Sequence, residues 1–96
     1  MFARVIHVDG AATNPAEGVR GINEQVIPRL RQAKGFVGAY WLRPKDGSKG
    51  MTVVLWKDAE SDAANEAEMS ETRRETIERG GMRITGNETY EVMAHS

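Results

Sequence analysis

The sequence predicts an α+β domain in which two helices cover one face of a four-stranded antiparallel sheet. Four short segments are rich in β-branched and aromatic residues, and two helical segments separate them in the order β-α-β-β-α-β. The most economical solution for that order is the ferredoxin-like arrangement, with both helices on one face. A chain of 96 residues has room for one domain, residues 1–96.

The first strand and the first helix are both marked at their ends. Phe2 to Asp9 is rich in Val and Ile and is followed by glycine, which predicts a strand. Asn14 and Pro15 are typical of a helix start, since Asn accepts from free amides of the first turn and Pro needs no partner there. We expect Pro28 to kink this helix and Gly35 to end it. One apolar stripe runs along the helix: Val19, Ile22, Val26, Leu30 and Ala33.

The centre of the chain predicts two strands joined by a turn. Phe36 to Arg43 and Met51 to Lys57 are both rich in aromatic and β-branched residues, as strands are. The segment Pro44 to Gly50 between them contains Asp46-Gly47, a typical hairpin signal.

A long acidic helix and a last strand complete the pattern. We expect Asp58 or Ser61 to cap this helix, which runs to about Arg79 and ends at two glycines. The segment Met82 to Asn87 shows no clear pattern beyond a predicted turn at Gly86-Asn87. The segment Thr89 to Ala94 predicts the last strand.

Both faces of the predicted sheet carry large apolar side chains. Two helices cover only one face, so the other would expose an apolar patch too large for a typical soluble monomer. We therefore expect a homodimer in which two sheets pack face to face, with a large ligand or a different partner as the alternatives. On the second strand, alternation places Phe36, Tyr40 and Leu42 on one face and Val37, Ala39 and Trp41 on the other. On the third strand, it places Met51, Val53 and Leu55 on one face and Thr52, Val54 and Trp56 on the other.

Composition excludes several classes of function. The absence of cysteine rules out disulfides, thiolate metal sites, iron–sulfur clusters and cysteine nucleophiles. A formal net charge of -1 argues against nucleic-acid binding. The sequence has no histidine–glutamate metal spacing, no nucleophile elbow and no phosphate-binding glycine loop. No segment reaches the roughly 20 apolar residues of a membrane span, so we expect no membrane contact and a cytoplasmic location.

Two side chains on the predicted strands are candidates for chemistry. Trp56 ends the third strand just before the second helix, where its indole N–H could serve a ligand or its ring could serve packing alone. His7 on the first strand is a candidate general base, with a structural histidine as the alternative.

Two arginines of the second helix are further candidates. Arg74 shares a helix face with small residues, so it could reach into the groove between helix and sheet. Its alternative is a surface role, paired with Glu71 or Glu78. Arg73 is the next candidate.

Several motifs resemble the antibiotic biosynthesis monooxygenase-type domain of the dimeric α/β-barrel superfamily. The likeness covers nearly the whole chain. It rests on Gly35-Phe36-Val37-Gly38-Ala39-Tyr40, on Asp46-Gly47, on Val53-Val54-Leu55-Trp56-Lys57-Asp58 at the mouth of a helix, and on Tyr90-Glu91-Val92.

The resemblance implies a chemistry and a set of site residues. Cofactor-independent members let an electron-rich phenol or quinol react with O₂ inside a dry cavity, without metal or flavin. Trp56 falls at the position of the cavity tryptophan, and Arg73 or Arg74 falls near an arginine that could hold a phenolate. The sequence departs from this pattern at Thr52, where members can have asparagine, and at Asp62, where they can have tyrosine.

Three functional hypotheses follow. The first is a monooxygenase-like protein acting on an aromatic, quinol-type molecule, with Trp56 and Arg74 positioning it and Thr52, His7, Tyr40 and Arg73 as secondary lining. The second is a small-molecule-binding or stress-response barrel without turnover. The third is a purely structural dimer. Haem degradation, found in a related branch, ranks lower because the second helix has neither histidine nor tryptophan.

Overall fold

A computed structural model describes residues 1–10, 15–45 and 49–96. Its elements follow the predicted order and confirm the α+β, ferredoxin-like class. The strands are β1 (Phe2–Asp9), β2 (Phe36–Leu42), β3 (Lys49–Trp56) and β4 (Arg83–Glu91). The helices are α1 (Pro15–Gly21), a π-helical turn (Ile22–Val26), α2 (Ile27–Gln32) and α3 (Ala59–Arg79).

The four strands form one antiparallel sheet in the order β2-β3-β1-β4. Leu30 of α2 packs on Val54 and Trp56, and Asp62 of α3 bonds to Arg4, so both helical regions lie on one face. We call this the helix-covered face, which holds Arg4, Ile6, Thr52, Val54 and Trp56. The opposite face, called the open face, holds Ala3, Val5, His7, Met51, Val53 and Leu55.

A bulge in β2 changes the predicted distribution of its side chains. Phe36 pairs with Trp56, but the next residue in register with β3 is Gly38, which pairs with Leu55. The extra residue, Val37, shifts the alternation by one. Phe36 therefore lies on the helix-covered face with Trp41 and not, as the alternation predicted, with Tyr40.

The first helical region is interrupted ahead of its proline. In the π-helical turn the Ile27 amide donates to the Ile22 carbonyl, one residue further back than in an α-helix. Pro28 follows at the start of α2 within the same continuous helical run, and it has no amide hydrogen to donate to the preceding turn. The expected disturbance is thus present as a π-turn before Pro28. The predicted helix cap Asn14 lies outside the described residues, as does the Asp46-Gly47 turn.

Helix α3 matches its prediction closely, whereas β4 does not. The Asp58 carboxylate accepts from the Ser61 amide at 2.8 Å, which fixes the start of α3. Strand β4 begins at Arg83 and runs straight through Gly86-Asn87, so the predicted turn there was wrong. Pairing with β1 outweighs the turn preference of that dipeptide, and a bulge in β4 accommodates the irregular sequence.

Within the described residues, no helix is long and apolar enough to cross a membrane.

Candidate functional site

Trp56 lies at the centre of the space between the sheet and the first helical region. Its side chain is fully buried, and its ring meets the ring of Phe36 edge-on, with centroids 5.8 Å apart. Leu30 from α2 and Val54 from β3 complete a small buried cluster around it. The sequence places an indole here because β3 alternates, so that Val54 and Trp56 face the helices together.

The indole N–H of Trp56 is the unusual feature of this cluster. Nε1 is buried and finds no acceptor among the residues that the structure describes. Leaving a buried donor unpaired costs about 1–3 kcal/mol, so such groups are rare in native proteins and point to a ligand or water. An indole N–H donates only, so its natural partner is an oxygen acceptor.

Thr52 shares the helix-covered face with Trp56 but lies at some distance from it. The two residues are four apart along β3, which separates them by about 13 Å along the strand. Thr52 pairs instead with Ile6 and Trp41 on the neighbouring strands.

His7 and Tyr40 lie on the other side of the sheet from Trp56. His7 pairs with Met51 and Tyr40 with Val53, both on the open face. The sheet therefore separates His7 and Tyr40 from Trp56 and Thr52, and a single small ligand does not contact both groups.

The two arginines of α3 have different surroundings. Arg74 is half-exposed and binds Glu71 and, at 2.8 Å, Glu78 on its own helix. These are the surface pairs that the alternative interpretation of Arg74 expected. The side chain of Arg73 is only 18% exposed and donates to Glu66 at 2.6 Å. Arg73 is therefore the arginine of this pair that turns toward the sheet.

A partly buried ionic network lies under α3, beside the Trp56 cluster on the same face. Arg4 donates from Nε and Nη2 to both oxygens of Asp62 at 2.8 Å. Its Nη1 donates to Asn87 at 2.6 Å and lies 2.5 Å from Glu66, which also binds Arg73. The Asp62 hydrogen bonds raise the pKa of Arg4 above its ordinary value, so the guanidinium stays charged.

The sequence did not reveal this network. Arg4 and His7 point to opposite faces of β1, and the sequence does not show which of those faces the helices cover. A usable signal was available in α3, where Asp62 and Glu66 are one turn apart and so share a face.

Two surface clefts of about 320 and 330 Å³ lie near the end of β1. The first is lined by Asp9, Gly10, Gly81, Met82 and Arg83. The second is lined by His7, Val8, Asp9, Lys49, Gly50, Thr85, Gly86 and Glu88. Neither cleft includes Trp56. In the part of the chain that the structure describes, no three His, Asp or Glu residues come together as metal ligands.

No protein-family model matches the sequence, and no curated protein matches it either. Solved structures do match over almost the full length. A variant of SnoaB, a cofactor-independent oxygenase from Streptomyces nogalater, superimposes with a TM-score of 0.73 at 15% identity, covering 98% of this chain and 95% of that chain. A protein from Deinococcus radiodurans described as a candidate antibiotic biosynthesis monooxygenase gives a TM-score of 0.74 at 12% identity, covering 100% and 96%.

A dimeric ferredoxin-like protein from an uncultured marine organism is also similar, with a TM-score of 0.68 at 15% identity, covering 100% of this chain and 98% of that chain. These likenesses show that the chain has the fold of the antibiotic biosynthesis monooxygenase-type domains. At such identities they concern the fold, and activity has to be argued from the site.

Proposed function

We propose that this chain is a monooxygenase-like protein that binds an aromatic, quinol-type molecule beside Trp56 and promotes its reaction with O₂ without metal or flavin. The observation that carries this proposal is the buried, unpartnered N–H of Trp56 within an aromatic and apolar cluster. A phenolate or peroxide oxygen is the acceptor that this donor lacks.

The surroundings of Trp56 suit that chemistry. Deprotonation of a quinol and addition of O₂ place negative charge on oxygen atoms of the substrate. A fixed donor in a site without water stabilises that charge more strongly than bulk water does. Phe36 and Leu30 supply apolar surface for the ring system of the substrate.

The first helical region provides the route of entry. Helix α1 buries none of its side chains, and Val19 in its middle is 56% exposed. Because α1 holds little apolar area against the sheet, it can move at small cost. We expect α1 and the π-helical turn to shift outward when a ligand inserts beside Trp56.

The remaining candidate residues take secondary positions in this proposal. Arg73 can reach a substrate anion by exchanging its bond to Glu66, whereas Arg74 must first release Glu71 and Glu78. Thr52 would line the far end of an extended ligand. His7 and Tyr40 belong to the open face and would act only there.

We propose that the open face is covered by a second copy of the chain. Tyr40 is 61% exposed, and Leu42 and Tyr90 are about half-exposed on the same face. An apolar patch of this extent needs a cover, and a two-fold homodimer with sheets face to face is the simplest one. The dimeric description of the similar marine protein supports this assembly.

Oxygen incorporation tests the proposed activity. With 1,4-naphthohydroquinone as the probe, one O₂ is consumed, one oxygen atom enters the ring to give a hydroxynaphthoquinone, and the other leaves as water. Under ¹⁸O₂ we expect one labelled atom in the product and no hydrogen peroxide. Peroxide with unlabelled naphthoquinone is autoxidation and contradicts the proposal.

A non-catalytic binding protein is the second candidate. It is favoured by Asp62, whose carboxylate is fully engaged by Arg4 at the helix start and offers no free hydroxyl to a substrate. This function predicts that naphthohydroquinone quenches Trp fluorescence on binding while O₂ uptake stays at the rate of the solution without protein.

A further inference from the structure

One buried polar side chain of α3 takes no part in the ionic network. Asn65 is only 9% exposed, and no residue in the described part of the chain hydrogen-bonds to its side-chain amide. That amide has two N–H donors and a carbonyl acceptor, and buried groups of this kind are almost always paired. Asn65 therefore joins Trp56 Nε1 as a second largely buried polar group between the helices and the sheet that lacks a partner.

The spacing of residues along α3 determines which way Asn65 faces. Asp62 points at β1, and Glu66 leans toward β4, where it accepts from Asn87 at 3.4 Å. Since successive residues are about 100° apart on a helix, Glu66 lies about 40° to one side of Asp62 and Asn65 about 60° to the other. In the sheet order β2-β3-β1-β4, the side away from β4 is β3. Asn65 therefore faces the strand that carries Trp56, across the groove between α3 and the first helical region.

Asn65 is also set at a suitable distance from the indole. Asp62 binds Arg4, which pairs with Val54, two residues before Trp56 and about 7 Å from it along β3. Because α3 runs back along β3, Asn65 lies about 4.5 Å further away, three residues after Asp62. The amide and the indole are thus roughly 10 Å apart along the groove. A fused two-ring molecule with an oxygen at each end bridges such a separation.

We propose that Asn65 is a second ligand-binding residue of the Trp56 site and that it selects molecules with an oxygen at each end. This inference rests on the proposed placement of an aromatic ligand beside Trp56. The indole N–H donates to one oxygen, and the Asn65 amide accepts from a hydroxyl or donates to a carbonyl at the other. A ligand with a single oxygen leaves the amide unpaired and binds more weakly. The groove lies across the sheet from the face that a second copy would cover, so dimer formation leaves it open.

Anaerobic calorimetry with two naphthols tests this role without turnover. 1,5-Dihydroxynaphthalene carries an oxygen at each end, whereas 1-naphthol carries only one. We expect the wild type to bind the diol about tenfold more tightly, as one good hydrogen bond to a buried amide provides. Asn65→Leu keeps the branched shape but removes the amide, so both naphthols should bind it with the affinity of 1-naphthol. Met69→Leu, one turn further along α3, is the matched control and should keep the preference.

Urea unfolding without ligand separates a binding role from a structural one. An amide that pairs only with a ligand is unpaired in the free protein, so Asn65→Leu should unfold at the same urea concentration as the wild type or a higher one. A lower midpoint, combined with an intact preference for the diol, would show that the amide stabilises the fold and would overturn the proposal.

The binding data also distinguish this inference from the proposed function. Equal affinities of the wild type for the two naphthols, or a preference that survives in Asn65→Leu, would overturn the role of Asn65 and leave the oxygenation proposal standing. Failure of the wild type to bind either naphthol would overturn the ligand site at Trp56, and the role of Asn65 with it.

Discussion

At the scale of the residue, the N–H of Trp56 carries the functional argument, and removing it alone is the sharpest test. Trp56→Phe keeps an aromatic ring in the cluster but deletes the donor. If Nε1 binds a charged substrate oxygen, kcat/KM for naphthohydroquinone should fall about ten- to a hundredfold. Trp41→Phe, on the same face, is the matched control. Equal losses in the two variants would show that ring packing matters rather than the donor.

The Arg4–Asp62 pair makes a prediction about stability. Asp62→Leu leaves a largely buried guanidinium short of its main partner and should cost about 2 kcal/mol in urea unfolding. The double variant Arg4→Met with Asp62→Leu should recover most of that loss, because the uncompensated charge is gone. Arg74→Ala removes only exposed pairs and should hardly move the midpoint. A double variant that is less stable in urea than Asp62→Leu alone would contradict this account.

Alternation and helix spacing predicted some of the site and missed the rest for definable reasons. Trp56 could be found because it ends a regular strand just before a capped helix. Arg73 and Arg74 could not be separated, because adjacent residues lie about 100° apart on a helix and the contact with the sheet decides between them. The ionic partners of Arg4 come from α3 and its neutral partner Asn87 from β4, all far away in sequence.

At the scale of the element, the turn between α2 and β2 depends on Gly35. Its φ is +82°, and an added Cβ would collide with the Ser61 side chain at the start of α3. Gly35→Ala should therefore lower the free energy of unfolding by roughly 1–2 kcal/mol for the left-handed backbone conformation, and further by the cost of that collision. Adding Ser61→Gly to Gly35→Ala should remove the collision but not the backbone strain. Urea unfolding of the double variant should therefore recover only the stability that the collision had cost. Full restoration would show that backbone strain is negligible here.

The cap of α3 makes a prediction about pH. Hydrogen bonds from Ser61 hold the pKa of Asp58 below its ordinary value. A pKa that is lower in the folded state stabilises the fold above the unfolded value of about 3.9, and this is lost as pH falls through the folded value. Asp58→Asn retains a cap without a charge. The stability of this variant should match the wild type near pH 7 and fall less steeply below pH 4. Parallel plots of unfolding free energy against pH for the two proteins would show that Asp58 does not contribute to acid unfolding.

The order of the elements was predictable because periodicity and helix caps are local signals. Phe36 was grouped with Tyr40 instead of Trp41 because a one-residue bulge reverses alternation without a mark in the sequence. The start of β4 was missed for a related reason. Its pairing with β1 stabilises a segment whose glycine and asparagine favour turns locally.

At the scale of the whole molecule, the open face should determine assembly. Val53 lies in the middle of that face, paired with Val5 and Tyr40. Val53→Glu should make the chain monomeric in sedimentation experiments, because a charge would be buried between two apolar sheets. Val19→Glu, on exposed α1, should leave the dimer intact. A dimer that survives Val53→Glu would assign the interface to another surface.

The measurement that tests the account most directly is native mass spectrometry of the protein purified from its own host. It reports the oligomeric state and any retained ligand together. The account predicts a dimer that carries an aromatic adduct in the wild type and loses it in Trp56→Phe, with the dimer preserved. A monomer, or an adduct that Trp56→Phe retains unchanged, would contradict the central claim that Trp56 holds a ligand within a dimeric barrel.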